Sequence, residues 1–429
     1  MSKSYCRKLW NHQYVHMSGS IRYCCETMDN LSNNKGNRLH INNDSLQSAW
    51  NCDEIKQARL KMIRGEPVPS CETCIKKEER GYQSSRDTRD MEQSFDSTAE
   101  DGSVKHYPNH IELHFGNMCN LKCKMCGQQY SNQIGKELLQ IGEQDPDWLK
   151  WVNKESGNVN IWTNNLSAEY RWFQNSKIKN KLFDYMAKHI NDFNVIGGEP
   201  TIIPEFWELF TYLEERDRLK DMKITLNTNL TNINPKMTDW LPKLEQWVVW
   251  ASIDGLGSRN EYIRFPSNFK KICDNLDFYK KLCDENGRVV LNPAIQILNI
   301  DQLDDLLEWW LKFSDGKSGR KFGLSWVSQV WYPKMLNYDV APPDYKLKIA
   351  DKLEKSRSKF SSMSQESLEA YDGHITNLRR DTVSQQERKH LLQNFVKYND
   401  RQDKFRAKTT WRKLIPDLEE SITRYLARS

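Results

Sequence analysis

The placement of the cysteines is the feature that most constrains this chain. Eleven cysteines occur in 429 residues, and nine of them lie in the first third, between Cys6 and Cys126. The N-terminus shows no hydrophobic signal core, so we expect a cytoplasmic protein, whose reducing surroundings disfavour a disulfide scaffold. The cysteines therefore predict metal or redox sites near the start of the fold.

Length and charge narrow the class of protein further. Lys and Arg total 63 and Asp and Glu total 58, which gives a net charge of +5. This balance offers no electrostatic case for nucleic acid as an obligate partner. Because no run of 18 apolar residues occurs, we expect no membrane-spanning helix. A chain of this length with 38% hydrophobic residues predicts two or three folded domains.

The pattern changes along the chain. Residues 1–81 form a cysteine-rich unit, 82–104 a polar linker, 105–335 an alternation of strands and helices, and 336–429 a charged helical region whose outer face we expect to be solvated. This alternation predicts an α/β fold with a parallel sheet, curved into a partial barrel. An insertion at about 128–176, rich in tryptophan, is predicted either as a lid over one mouth of the sheet or as ordinary packing. Six strands are predicted, at Ile111–Phe115, Phe193–Ile196, Lys223–Leu226, Trp247–Ile253, Val289–Ile297 and Leu324–Trp331.

Three cysteines follow the first predicted strand of this alternating region with the spacing C-x3-C-x2-C. They are Cys119, Cys123 and Cys126. Three thiolates on one short loop can hold three irons of a 4Fe–4S cube and leave the fourth iron open. The alternative is a zinc site completed by His106 or His114. The spacing by itself leaves both interpretations open.

Further motifs lie at the ends of predicted strands. They are Gly197-Gly198-Glu199-Pro200, Thr228-Asn229 and Ser252-Ile253-Asp254-Gly255, with Arg264 twelve residues beyond Ser252. Paired glycines allow a ligand to approach the backbone, and Glu199 can receive an ammonium group. Parallel sheets bind their ligands at the carboxyl ends of the strands. Each motif alone is equally compatible with an ordinary turn.

Together these motifs resemble the radical S-adenosylmethionine (SAM) superfamily over residues 105 to about 335. The resemblance implies a partial (β/α)6 barrel and an enzyme that reductively cleaves SAM. The product of that cleavage, a 5′-deoxyadenosyl radical, would abstract a hydrogen atom from a substrate. It also implies a reductant such as flavodoxin or ferredoxin. One departure is Met125, where many members have an aromatic residue before the third cysteine.

The same resemblance implies roles for the residues of the motifs. The 4Fe–4S cluster would be held by Cys119, Cys123 and Cys126, and its open iron would take the amino and carboxylate groups of SAM. Gly197, Gly198 and Glu199 would face the methionine amine. The ribose and carboxylate would be held by Ser252 and Arg264, with Thr228 and Asn229 close to the cofactor.

The N-terminal cysteines form a second pattern, Cys6, Gly19 and Cys24 followed by Cys71-x2-Cys74. Four thiolates in two pairs suit either zinc or a fully ligated 4Fe–4S cluster. The pattern, with Arg59 in the connecting segment, resembles the Twitch module, a shortened relative of the SPASM auxiliary-cluster module. Here it precedes the barrel, whereas the usual module follows it. The resemblance implies a second 4Fe–4S cluster held by Cys6, Cys24, Cys71 and Cys74, with Cys25 as the alternative to Cys24.

Three functions follow from these patterns. Relatives with such auxiliary modules mostly modify peptides or proteins, so the resemblance implies a peptide or protein substrate. A sugar or a nucleotide is the alternative substrate for the same chemistry. A hypothesis of another class is a non-catalytic zinc-binding adaptor whose basic helical C-terminus contacts RNA.

Overall fold

The structure is a computed structural model that describes residues 4–27, 29–33, 35–79, 84–155, 170–314, 321–324, 328–406 and 408–428. The chain divides into two compact units. The first unit contains residues 1–118, 162–227 and 234–247. The second unit contains residues 119–161, 228–233 and 248–429.

Strands and helices alternate through much of the described chain, as predicted for an α/β fold. The strands are β1 (His12–Val15), β2 (Ile21–Arg22), β3 (His110–Phe115), β4 (Lys122–Cys123), β5 (Asp192–Gly197), β6 (Lys223–Thr228), β7 (Gln246–Ala251), β8 (Arg264–Phe265), β9 (Gly287–Leu291), β10 (Ala294–Ile295), β11 (Phe322–Leu324) and β12 (Ser328–Gln329).

The helices are numbered in the same way. They are α1 (Lys8–Asn11), α2 (Leu46–Trp50), α3 (Asp53–Ile63), α4 (Glu72–Glu79), α5 (Met91–Asp96), α6 (Asn132–Gln144), α7 (Pro146–Glu155), α8 (Ser176–His189), α9 (Pro204–Glu214), α10 (Met237–Trp240), α11 (Ser258–Ile263), α12 (Phe269–Leu282), α13 (Leu303–Phe313), α14 (Pro343–Ser356), α15 (Gln365–Arg379), α16 (Gln385–Arg406), α17 (Trp411–Leu414) and α18 (Pro416–Arg428). Among the described residues, no helix is long and apolar enough to cross a membrane.

The sheet of the first unit has the order β2–β1–β3–β5–β6. Its strands pair in parallel except for the hairpin of β1 and β2. Along β3 the apolar residues Ile111, Leu113 and Phe115 are fully buried on one face, so hydrophobic burial sets the register. Strand β1 was not predicted from the sequence. It shows that the N-terminal segment supplies a strand to the sheet.

A separate apolar core holds the N-terminal part of the first unit together. It contains Tyr5, Leu9, Trp10, Trp50, Ala58, Met62, Val68 and Val104, with Cys6, Cys71 and Phe95 packed against it. Phe95 belongs to α5, which forms inside the segment predicted as a polar linker. Residues 84–104 therefore contain a helix, while residues 82 and 83 lie outside the described part.

The second unit corrects one predicted strand. The strand predicted over Val289–Ile297 is divided into β9 and β10, because Pro293 has no N–H to donate to a strand ladder. A 3₁₀ turn over Ile300–Gln302 precedes α13, and Asp301 in this turn forms an ion pair with Arg259. The strand predicted over Leu324–Trp331 is described only as β11 and β12, with residues 325–327 outside the described part. Much of the tryptophan-rich insertion, residues 156–169, also lies outside it.

Candidate active site

The loop with Cys119, Cys123 and Cys126 is fixed by short-range backbone contacts in the second unit. Strand β4 pairs antiparallel with β8, which places Cys123 opposite Arg264. The Ser131 hydroxyl donates to the Leu121 carbonyl over 2.6 Å. The Cys119 N–H donates to Asn132 Oδ1 at 3.2 Å. The structure therefore gathers the three predicted ligands on a loop whose backbone is held at both ends.

The surroundings of the sulfur atoms suit thiolate ligands. The Leu121 N–H donates to Cys119 Sγ at 3.4 Å. A hydrogen bond between the thiols lowers the pKa of Cys123 and raises that of Cys126, and the positive charge of Arg264 further lowers the pKa of Cys123. Donors and a cation around sulfur stabilise the deprotonated form that binds iron. The donor set therefore fits a cluster held by three cysteines.

Asn229 lies against this loop. Its side-chain amide donates to Asn120 Oδ1 at 2.9 Å, and the Asn120 amide donates to the Thr231 hydroxyl at 2.7 Å. The turn that follows Asn229 places the buried Leu230 at φ +59°, a conformation that a leucine adopts only when its surroundings impose it. The Thr228 hydroxyl accepts from the Leu230 N–H at 3.1 Å. Of the predicted pair, Asn229 therefore contacts the cysteine loop, and Thr228 stabilises the turn that follows it.

Arg264 forms a buried ion pair that the sequence did not indicate. Its Nε lies 2.7 Å from Oδ2 of Asp254, and its Nη2 donates to Oδ1 over 3.0 Å. Asp254 is fully buried, and its Oδ1 also accepts from the Ala294 N–H at 2.8 Å. Asp254 therefore orients Arg264 beside Cys123. The sequence signal for Asp254 was its place in the predicted motif, two residues after Ser252.

Lys124 is a second buried charged residue beside the cysteine loop that sequence reasoning missed. It is fully buried, and its Nζ donates to Gln402 Oε1 at 2.9 Å, lies 3.3 Å from Asp403 Oδ1 and sits 4.4 Å from the ring centroid of Tyr262. Burial lowers the pKa of Lys124 to about 7. Gln402 and Asp403 belong to α16, so this part of the C-terminal region is buried against the cysteine loop. The solvated outer face that the sequence predicted for the C-terminal region is therefore absent at Gln402 and Asp403.

The Gly197–Pro200 segment ends β5 in the first unit. The Gly198 N–H donates to the Gly116 carbonyl at 3.2 Å, and the Glu199 N–H donates to the Met118 carbonyl at 2.7 Å. A Cβ on Gly198 would lie 1.9 Å from the Met118 oxygen, so only glycine fits here. The Glu199 carboxylate is buried and accepts from the backbone and hydroxyl of Thr201. Met118 directly precedes Cys119 in the chain.

The N-terminal thiols lie within electrostatic range of one another in the first unit. Burial is the main cause that raises the pKa of Cys71 to about 12, and the nearby thiols of Cys6, Cys24 and Cys74 contribute to the same increase. Burial also raises the pKa of Cys24 to about 11. Within the described residues, no group of three or more Cys, His, Asp or Glu side chains is arranged around a single metal position. The ligand sets at both cysteine clusters therefore stay predictions.

Comparison with known families identifies the class of the alternating region. Residues 113–309 match the family model of the radical SAM superfamily. The match contains the cysteine loop and every predicted strand-end motif. This part of the chain is similar to the radical SAM superfamily, in agreement with the resemblance drawn from the motifs. Members of that superfamily are enzymes whose cofactors are a 4Fe–4S cluster and SAM.

Solved structures give only distant similarity. A structure of anSMEcpe with bound AdoMet is 16% identical, with a TM-score of 0.33 over 58% of this chain and 61% of that one. Streptococcus suis SuiB bound to S-adenosylmethionine is 12% identical, with a TM-score of 0.35 over 72% of this chain and 62% of that one. SuiB bound to precursor peptide SuiA is 13% identical, with a TM-score of 0.33 over 77% and 55%. The chain thus spans about three fifths of the length of these proteins. No curated protein matches the sequence.

Proposed function

We propose that this protein is a radical SAM enzyme that abstracts a hydrogen atom from a peptide or protein substrate. The observation that carries the proposal is the anchored loop of three thiols, with Arg264 opposite Cys123 and Asn229 bonded to the same loop. When bound, the cluster and SAM supply a carbon-centred radical able to react with an unactivated C–H bond.

The residues of this chain would hold and position those groups. Cys119, Cys123 and Cys126 would ligate the cluster, and the donors at Cys119 and Cys123 favour the thiolate form of those two residues. Arg264, fixed by Asp254, and Ser252 would contact SAM in the partial (β/α)6 barrel. We further propose that Gly197, Gly198 and Glu199 contact its methionine amine and that Thr228 and Asn229 lie near the cofactor. Residues that position the cofactor in this way would keep a reactive species in line with one substrate bond.

The peptide substrate and the second cluster rest on the Twitch-like pattern of the N-terminal cysteines. Cys6, Cys24, Cys71 and Cys74 influence each other's thiol pKa values, which supports one shared site. Such a site would exchange electrons with a flavodoxin or ferredoxin. Because β1 joins the N-terminal segment to β3, this segment is part of the same sheet that carries the Gly197 turn.

Deuterium transfer tests the proposed function. The anaerobically reconstituted enzyme is incubated with SAM, a reductant and deuterated candidate peptides, beginning with peptides encoded beside its gene. We expect deuterium to appear in 5′-deoxyadenosine, as measured by mass spectrometry. Deuterium transfer from sugars or nucleotides, but not from peptides, would show that the substrate belongs to one of those classes and not to the peptides. Zinc without iron or sulfide after anaerobic purification would contradict the whole proposal and favour the adaptor.

Metal analysis tests the second cluster. The variant Cys71→Ser is expected to lower the iron content from about eight to about four atoms per chain, because it removes a ligand of one cluster and leaves the loop of Cys119 unchanged. The matched control is Cys52→Ser, since Cys52 is buried at the start of α3, where serine is a good helix cap. Equal iron in the wild type and in Cys71→Ser would contradict the auxiliary cluster.

A further inference from the structure

One face of the first-unit sheet is polar although it is largely buried. The register pairs His12 with His110 and Tyr14 with Glu112, so these side chains lie on the same face. His114 follows two residues after Glu112 on that face, opposite the fully buried Ile111, Leu113 and Phe115. Buried polar side chains cost free energy unless they are paired, so such a face requires a reason.

The contact between His114 and Glu112 orients the imidazole ring of His114. Nε2 of His114 lies 3.2 Å from Oε1 of Glu112, and both residues are buried. A carboxylate only accepts hydrogen bonds, so Nε2 carries the proton, and Nδ1 is an acceptor in the tautomer in which it carries none. The ring is held further by Tyr14, whose ring centroid lies 5.1 Å away in an edge-to-face arrangement. Glu112 and Tyr14 therefore fix the direction of Nδ1.

Nδ1 of His114 has no hydrogen-bond partner among the residues that the structure describes. Oδ1 of Asn227 on β6 is likewise buried without a partner in that part of the chain. Asn227 lies on the same face, because Thr225 pairs with Asn194 and Asn194 pairs with Glu112. Two buried acceptors on one face call for a ligand that supplies donors.

We propose that Nδ1 of His114 accepts a hydrogen bond from a backbone amide N–H of the bound substrate. This inference rests on the peptide substrate proposed above and deepens it. Beside Glu112 and His114 on the same face, Asn194 and Ile196 of β5 are only half-buried. Nearby, His16 is engaged elsewhere, because its Nδ1 accepts from the Ser18 N–H at 3.3 Å. Glu112 acts through His114 and is a positioning residue.

Two isosteric replacements separate ligand binding from structural support. His114→Gln places an amide near Nε2, which keeps the contact with Glu112 and removes the acceptor at Nδ1. His114→Asn places an oxygen near Nδ1 and removes the contact with Glu112. A purely structural role for His114 predicts that the asparagine variant is the more damaged one. The proposed role predicts weaker ligand binding by the glutamine variant.

Saturation-transfer NMR on the anaerobic holoenzyme measures binding of N-acetylglycinamide, a neutral fragment of peptide backbone. We expect saturable binding by the wild type and about tenfold weaker binding by His114→Gln, the effect of one lost hydrogen bond. His106→Gln is the matched control, because His106 Nε2 bonds to the Trp10 carbonyl at 2.8 Å. His114→Asn should bind more tightly than His114→Gln.

Two results would overturn the inference: absence of saturable binding by the wild type, or equal binding by the wild type and His114→Gln. If the glutamine variant unfolds, the comparison of wild type with His114→Asn decides, since retained binding agrees with the proposed acceptor and complete loss contradicts it. The measurement needs neither SAM nor turnover. Probe binding without deuterium transfer would therefore overturn the proposed function alone.

Discussion

Replacing Cys123 with alanine is expected to abolish reductive cleavage of SAM. Cys123 is the middle one of the three predicted ligands, is buried, and lies opposite Arg264 in the pair of β4 and β8. Loss of residues that merely orient a metal ligand lowers metal affinity or activity by about 10- to 100-fold, so loss of a ligand should exceed that range. The measurements are 5′-deoxyadenosine formation and the absorption and EPR signals of the cluster.

The control for this variant is Cys273→Ala. Cys273 lies half-buried on α12, and neither cysteine pattern includes it. We expect this control to keep its iron and its cleavage rate. Cleavage that survives in Cys123→Ala at the wild-type rate would remove the basis for the catalytic cluster. Loss of cleavage in both variants would point to general damage by cysteine replacement.

Arg59→Met is expected to lower the free energy of unfolding of the N-terminal region by about 3–5 kcal/mol. Arg59 is fully buried, and its guanidinium donates to the backbone carbonyls of Leu9, Trp50 and Gly102 and to Asn51 Oδ1. It also lies 4.6 Å from the ring centroid of Trp50. Methionine fills similar volume but leaves these oxygen atoms unpaired. Chemical denaturation followed by tryptophan fluorescence measures the change.

Arg379→Met serves as the matched control for Arg59→Met. Arg379 forms ion pairs with Asp351 and Glu354 on the surface, where such pairs contribute about 0–1 kcal/mol. A change of similar size in both variants would contradict the structural role of Arg59. Because Cys6 and Cys71 pack against the same apolar core, Arg59→Met should also reduce the iron retained by the N-terminal thiols.

The sequence was sufficient to reveal the similarity to the radical SAM superfamily, because the motifs of that superfamily depend on residue types at short spacings. Cys119, Cys123 and Cys126 occupy eight consecutive positions, and the glycine turn at Gly197 follows an apolar strand. The family match over residues 113–309 agrees with this similarity. Strand boundaries were predicted less well where a local feature interrupts the pattern, as Pro293 does between β9 and β10.

The residues missed from the sequence depend on contacts between distant positions. Lys124 contacts Asp403, which lies 279 positions further along the chain. Arg264 contacts Asp254, which lies 10 positions earlier, before α11. The sequence spacing of these pairs does not indicate that their members are in contact, because charged residues are common in this chain and most of them are solvated. Burial makes these pairs important, and burial is decided only when the elements pack.

By itself, the sequence predicted a cluster-binding role for Cys119, Cys123 and Cys126, because ligand type and spacing are local properties of the chain. The tertiary structure decided that β1 pairs with β3, that Asp254 holds Arg264, and that His114 lies buried with Nδ1 toward a polar face. These facts arise from long-range pairing and desolvation, which depend on the packed environment of each side chain.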